Sequence, residues 1–136
     1  MLITKEEILG AEDLPSREVE VPEWSKDKKV RLGTMTGVDR DAYEASIYDV
    51  SGKDVKIIRE NFRSKLLART IIDEKGKRLF TEKEVELLGK KSSKALDRLF
   101  PIAQELNGLR PEDTEKFTKN SKGEEEDTST STSPKS

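Results

Sequence analysis

REVEVPEWSKDKKVRL, residues 17–32, is the stretch from which the fold class follows. Val19 and Val21 alternate with Glu18 and Glu20, and Val30 and Leu32 alternate with Lys29 and Arg31. An apolar–polar period of two marks a strand with one face buried. Two such runs joined by a short polar segment predict a β-hairpin with Trp24–Asp27 as its loop. That loop sets Val21 opposite Val30, Val19 opposite Leu32, Glu20 opposite Arg31 and Glu23 opposite Lys28. One face is then apolar and the other carries complementary charges. A slip by one residue would turn both faces over. Pro22 has no N–H to give to a ladder, which predicts an edge strand there.

Outside the hairpin the apolar period changes to that of helices. Upstream, Thr4–Leu9 predicts a short helix with Thr4 as N-cap, Glu6 and Glu7 in its first turn, and Gly10 as its stop. Downstream, Tyr43, Ile47 and Val50 are spaced as on one helical face. After a break at Ser51-Gly52, Asp54 is a candidate N-cap for the longest helix, VKIIRENFRSKLLARTII, with Val55, Ile58, Phe62 and Leu66 as its main stripe. Ile57, Leu67 and Ile71 lie off that stripe and widen the apolar surface. Lys75-Gly76 reads as a turn that lets Thr70–Ile72 pair with Arg78–Phe80. Thr81 and Glu84 form a capping box for a short helix that stops near Gly89. A last helix is predicted from Ser93 to Asn107, with Leu96, Leu99, Phe100, Ala103 and Leu106 on one face. Pro101 inside it predicts a kink or a division. Pro111–Phe117 could add one more helical turn. From Thr118 to Ser136 no hydrophobic residue occurs, and GEEEDTSTSTSPKS is low-complexity, so a disordered polar tail is expected. The expected class is α+β: an N-terminal β-hairpin, then a small bundle of three to four helices, then the tail. The expected division is one domain over residues 1–117 and a tail over 118–136.

Composition excludes several function classes. The chain has 136 residues, no Cys and no His, so disulfides and thiolate metal sites are ruled out, and so are the commonest general base and metal ligand. With 26 basic and 28 acidic residues the net charge is -2, which argues against nonspecific binding to nucleic acid or an anionic membrane. MLITKEEILG does not read as a signal peptide, and no run is apolar enough to span a membrane. No glycine-rich phosphate loop is present. Asp39, Asp41 and Glu44 alternate with Arg40 in the manner of a solvated helix face. No catalysis, cofactor or metal is therefore expected.

Three features bear on binding. The segment TEKEVELLGKKSSKALDRLF has helix-turn-helix spacing, with Lys90, Lys91 and Lys94 at the start of its second helix, but acidic residues surround them. Trp24 at the hairpin tip has two readings: an exposed contact residue, or a ring folded back on its own hairpin. The apolar surface of Asp54–Ile72 is broad for a domain with few elements to cover it. Its burial under the last two helices, with a groove left at its edge, is the favoured reading. The partner-binding candidates are Trp24, Phe62, Leu66, Leu67, Leu96, Leu99 and Phe100.

Three phrases in order, LITKEEILGAEDLPSREVEVPEW, VRLGTMTGVDRDAYEASI and LLARTIIDEKGKRLFTEKEVELLGKKSSKALDRLFPIAQELNGL, resemble the tail assembly chaperones of long-tailed phages and prophages. The likeness covers roughly residues 2–109 and leaves out the polar tail. It implies a small α+β protein that binds the tape measure protein, keeps it soluble and recruits tail tube subunits. It further implies work in the cytoplasm of the bacterial host, absence from the mature virion, and, in many such phages, a longer frameshifted form. Self-association stays open. The rivals are a small helix-turn-helix-like DNA-binding regulator and a structural tail or head component.

Overall fold

The computed structural model describes residues 1–109. Their elements are α1 (Lys5–Gly10), β1 (Arg17–Glu20), β2 (Lys29–Leu32), α2 (Gly37–Ile47), β3 (Tyr48–Asp49), β4 (Lys56–Ile57), α3 (Phe62–Thr70), β5 (Ile71–Ile72), a 3-10 turn (Glu82–Glu84), α4 (Val85–Gly89) and α5 (Ser93–Leu106). This is the expected α+β arrangement: an N-terminal hairpin and a helical bundle behind it. The expected helical turn at Pro111–Phe117 and the tail from Thr118 lie outside the described residues.

The hairpin forms, but two residues out of the expected register. Val19 faces Val30, Glu18 faces Arg31, Arg17 faces Leu32 and Glu20 faces Lys29. The reason is local. The Val21 carbonyl accepts from the Trp24 and Ser25 amides at 2.9 and 3.1 Å, so the chain is already turning at Val21. Ser25 Oγ accepts from the Lys28 amide at 3.1 Å and donates to Asp27 at 3.2 Å. The connection is therefore longer than the four residues expected. A shift by two keeps every side chain on its face. Val21 and Leu32 are accordingly buried, and the cross-strand ion pair becomes Arg31–Glu18 at 2.7 Å.

The sheet has a third member that local sequence did not indicate. Strand β5 pairs with β2 through Arg31↔Ile72 and Leu32↔Ile71, giving the order β1-β2-β5. The expected pairing of Thr70–Ile72 with Arg78–Phe80 also occurs, reduced to a bridge between Ile72 and Arg78 and a bond from the Leu79 amide to the Ile71 carbonyl at 3.0 Å. Gly76 makes that turn at φ +85°, where L side chains are strained.

The long helix expected from Asp54 is much shorter. Lys56–Ile57 is a strand paired with Tyr48–Asp49, Asn61 sits in the left-handed region at φ 57°, and α3 begins only at Phe62. The β-branched run Val55, Ile57 and Ile58 suits a strand as well as a helix, and its partner lies across the Ser51-Gly52 turn. Val50 is consequently exposed rather than on the buried face of α2. Helix α5 runs unbroken through Pro101, whose exposed ring lies away from the core. Asp97 loses an amide donor there, but the helix is not divided.

The core forms where these elements meet: Val21 and Leu32 from the hairpin, Tyr43 and Ile47 from α2, Leu66, Leu67 and Ala68 from α3, Ile71 from β5, Val85 and Leu88 from α4, and Ala95, Leu96, Leu99 and Ala103 from α5. Caps hold the ends. Thr81 and Glu84 form the expected capping box, and Ser92 caps α5 by accepting from the Lys94 and Ala95 amides. Lys65 Nζ donates to the Ser46 carbonyl at 2.8 Å, placing a cation at the C-terminal end of α2. Arg69, with only 10% of its side chain exposed, pairs with Asp39 of α2 and Glu82 of the 3-10 turn. Asn107 joins the far end of α5 to the chain after β2. It accepts from the Met35 amide at 2.6 Å and donates to the carbonyls of Gly33 and Ala103 at 3.2 and 2.9 Å.

Candidate functional site: two apolar hollows on the helical face

The seven candidate residues divide sharply. Leu66, Leu67 and Leu99 are fully buried and Leu96 is 5% exposed. They are core residues and offer no surface in this fold. The cause is the packing of α3 against α5 and α4, which covers both sides of α3, including the part off its main stripe. Phe62, Phe100 and Trp24 remain at the edge of that core, half-buried.

Phe62 opens α3 and Phe100 stands on α5, and their ring centroids are 5.7 Å apart at 54°, a tilted aromatic pair. With Arg59, Arg63, Asp97 and Pro101 they line a hollow of about 490 Å³. Arg63 donates to Asp97 across its rim. The hollow thus has an aromatic floor and a charged edge.

Trp24 lines a second hollow of about 250 Å³ with Phe80, Leu87, Leu88 and Lys91. Its ring packs against the helical body, so neither expectation for it was complete. The hairpin end that carries it is fastened by Arg98 of α5, which donates to both carboxylate oxygens of Glu23 at 3.1 and 2.6 Å. That guanidinium, followed by the residue's own amide, holds the Glu23 carboxyl below its usual range. The indole Nε1 is cut off from solvent and has no hydrogen-bond partner, an uncommon state for a buried donor. Leu87 remains 61% exposed at the edge. Phe80, Leu87 and Arg59 were not among the candidates. Phe80 ends a turn and Leu87 lies on a five-residue helix, so neither shows a periodic stripe.

The described residues hold no group of three acidic side chains placed to bind a metal ion. None of their helices is long and apolar enough to cross a membrane. The helix-turn-helix alternative weakens as well, because α4 has only five residues, short for a helix that must brace a recognition helix on a duplex. The arrangement can bind apolar side chains and offers no set of groups for chemistry.

Comparison with known proteins agrees with that limit. No curated protein and no solved structure matches the chain. A family model described as phage tail assembly chaperone matches residues 11–126. The match starts after α1 and reaches past Leu109, so part of the polar segment set aside by the resemblance lies within it. The family's members are chaperones and not catalysts. With most of its length inside that model, the chain belongs to the phage tail assembly chaperone family.

Proposed function

We propose that this chaperone binds the tape measure protein through the Phe62–Phe100 hollow, keeps it soluble, and presents it to tail tube subunits. It does so in the cytoplasm of the bacterial host and is left out of the mature virion. The observation that carries the proposal is an aromatic pair held open at the α3–α5 edge of a family member. A tape measure protein is a long helical client with apolar stripes. A helix laid in a groove buries such a stripe against aromatic rings, while Arg59, Arg63 and Asp97 at the rim meet its polar flanks. The charged exterior keeps the complex dispersed. The working unit is residues 1–117, with 118–136 as an appended tail.

Co-expression tests this directly. The tape measure protein should move from the insoluble to the soluble fraction with the intact chain, and equally with a chain ending at Phe117. Phe62→Glu and Phe100→Glu should each abolish rescue while leaving the circular dichroism spectrum unchanged. A client that stays insoluble with the chaperone in excess, or that never co-purifies with it, refutes the proposal. Loss of binding on adding salt, with the aromatic variants still active, would instead point to an electrostatic contact.

A further inference from the structure

The Phe62–Phe100 hollow exposes aromatic surface that is unfavourable in water unless something covers it. Both rings are only partly buried, and the exposed ring of Pro101 extends the apolar floor. The lining residues also carry two guanidiniums, Arg59 and Arg63, and one carboxylate, Asp97. Arg63 is paired with Asp97, while Arg59 is exposed and forms no ion pair among the described residues. The hollow therefore suits one apolar side chain with an acidic group beside it.

The chain carries such a segment of its own. After Leu109, Phe117 is the only large hydrophobic side chain, at the end of the run PEDTEKF. Glu112, Asp113 and Glu115 precede it, against Lys116. An acidic residue shares the face of Phe117 in either regular conformation: Glu115 in an extended chain, where alternate residues align, or Asp113 in a helix, where residues four apart align. This run lies beyond the described residues, but the family match continues through it to residue 126. It belongs to the region that the family shares, unlike α1, which precedes the match.

The end of α5 sets that run within reach. The Gly108 amide donates to the Glu105 carbonyl at 3.2 Å and the Leu109 amide to the Gln104 carbonyl at 2.8 Å, with Gly108 at φ 69°. This Schellman turn carries the chain off the helix axis, and Leu109 packs against the core. Gln104 is four residues from Phe100 and lies on the same side of α5. Phe100 stands about 10 Å along the helix from Asn107, whereas Arg110–Phe117 spans up to about 26 Å when extended. We propose that Phe117 docks in the Phe62–Phe100 hollow of its own chain, with its acidic neighbours against Arg59 and Arg63, and that a client has to displace it. The displacement rests on the reading of that hollow as the client site; the docking does not. The plug shields the aromatic pair until a client with a longer apolar stripe competes for it.

The chain has no Cys, so a single nitroxide on Ser121→Cys in the full chain reports by nuclear magnetic resonance where the segment lies. The amides of Phe62, Arg63, Asp97 and Phe100 should broaden and those of Ile8 and Leu9 should not. Phe117→Ser in the labelled chain should remove the effect. A mixture of nitroxide-labelled and isotope-labelled copies should show none, because the contact is within one chain. A fluorescent amphipathic peptide from the tape measure protein should bind the Phe117→Ser chain about tenfold more tightly than wild type, the factor for a hollow open one-tenth of the time. Broadening that is absent from the hollow, survives Phe117→Ser or passes between copies overturns the docking. Docking seen by the label, with equal peptide affinity for both chains, refutes instead the client's use of this hollow.

Discussion

Asn107→Ala should be among the most damaging single changes in the described chain, although Asn107 lies at the end of a helix. Its side chain accepts from the Met35 amide and donates to the carbonyls of Gly33 and Ala103, all within a buried seam. Alanine leaves the Met35 amide and the Gly33 carbonyl without partners. The Ala103 carbonyl keeps the Asn107 amide at 3.1 Å, and Arg40 Nη1 keeps the Asn107 carbonyl at 3.2 Å, because both involve backbone atoms of residue 107. Each orphaned buried group costs about 1–3 kcal/mol, so the expected loss from the two is about 2–6 kcal/mol. That is a large share of the stability of a small domain. Urea unfolding should show the midpoint falling with little change in slope. Asn107→Asp separates the two roles. It retains the acceptor for Met35 but sets a carboxylate against two carbonyls, so it should be at least as destabilising at neutral pH. A loss below about 0.5 kcal/mol for the alanine variant, the range of ordinary surface changes, would refute the reasoning and show that water replaces the side chain freely.

The core offers a second test. Leu99→Ala should cost about 2–5 kcal/mol in chemical unfolding, because the side chain is fully buried between α3 and α5; a smaller effect would show that the cavity collapses. Phe62→Ala should cost less, since its ring is only partly covered. Alkaline pH offers a third. Burial pushes the Tyr43 phenol up from its usual 10.0. The folded chain then holds a proton that the unfolded chain releases above about pH 10, so stability should be level below that point and fall as pH rises through it. Tyr43→Phe should flatten that alkaline limb in unfolding measured at successive pH values, and a limb unchanged in the variant would assign it to another group.

Local sequence was sufficient wherever a short-range pattern had a single physical solution. Thr81 and Glu84 close a capping box whatever surrounds them, Gly76 takes the left-handed conformation that its turn needs, and the alternation around Val19 and Val30 can place only one face inward. It failed where two solutions competed. Val55–Ile58 fits a strand or a helix, and only Tyr48–Asp49 across the turn made it a strand. The hairpin's faces were legible but its register was not, because hydrogen bonds at Val21 began the turn early and a two-residue shift preserves both faces.

The candidate site divides along the same line. Trp24, Phe62 and Phe100, three of the partner-binding candidates, line hollows at the edge of the core. Leu66, Leu67, Leu96 and Leu99 carry the same apolar signal but are buried, because periodicity reports that a face is apolar and not what covers it. By itself the sequence determined that the chain has no His or Cys for the usual site chemistry, that it mixes a hairpin with helices, and that its phrases are those of a tail assembly chaperone. Only the tertiary structure decided which apolar residues remain open to a partner. That choice depends on how α3, α4 and α5 close over one another, and such contacts join residues far apart in the chain, where no local pattern records them.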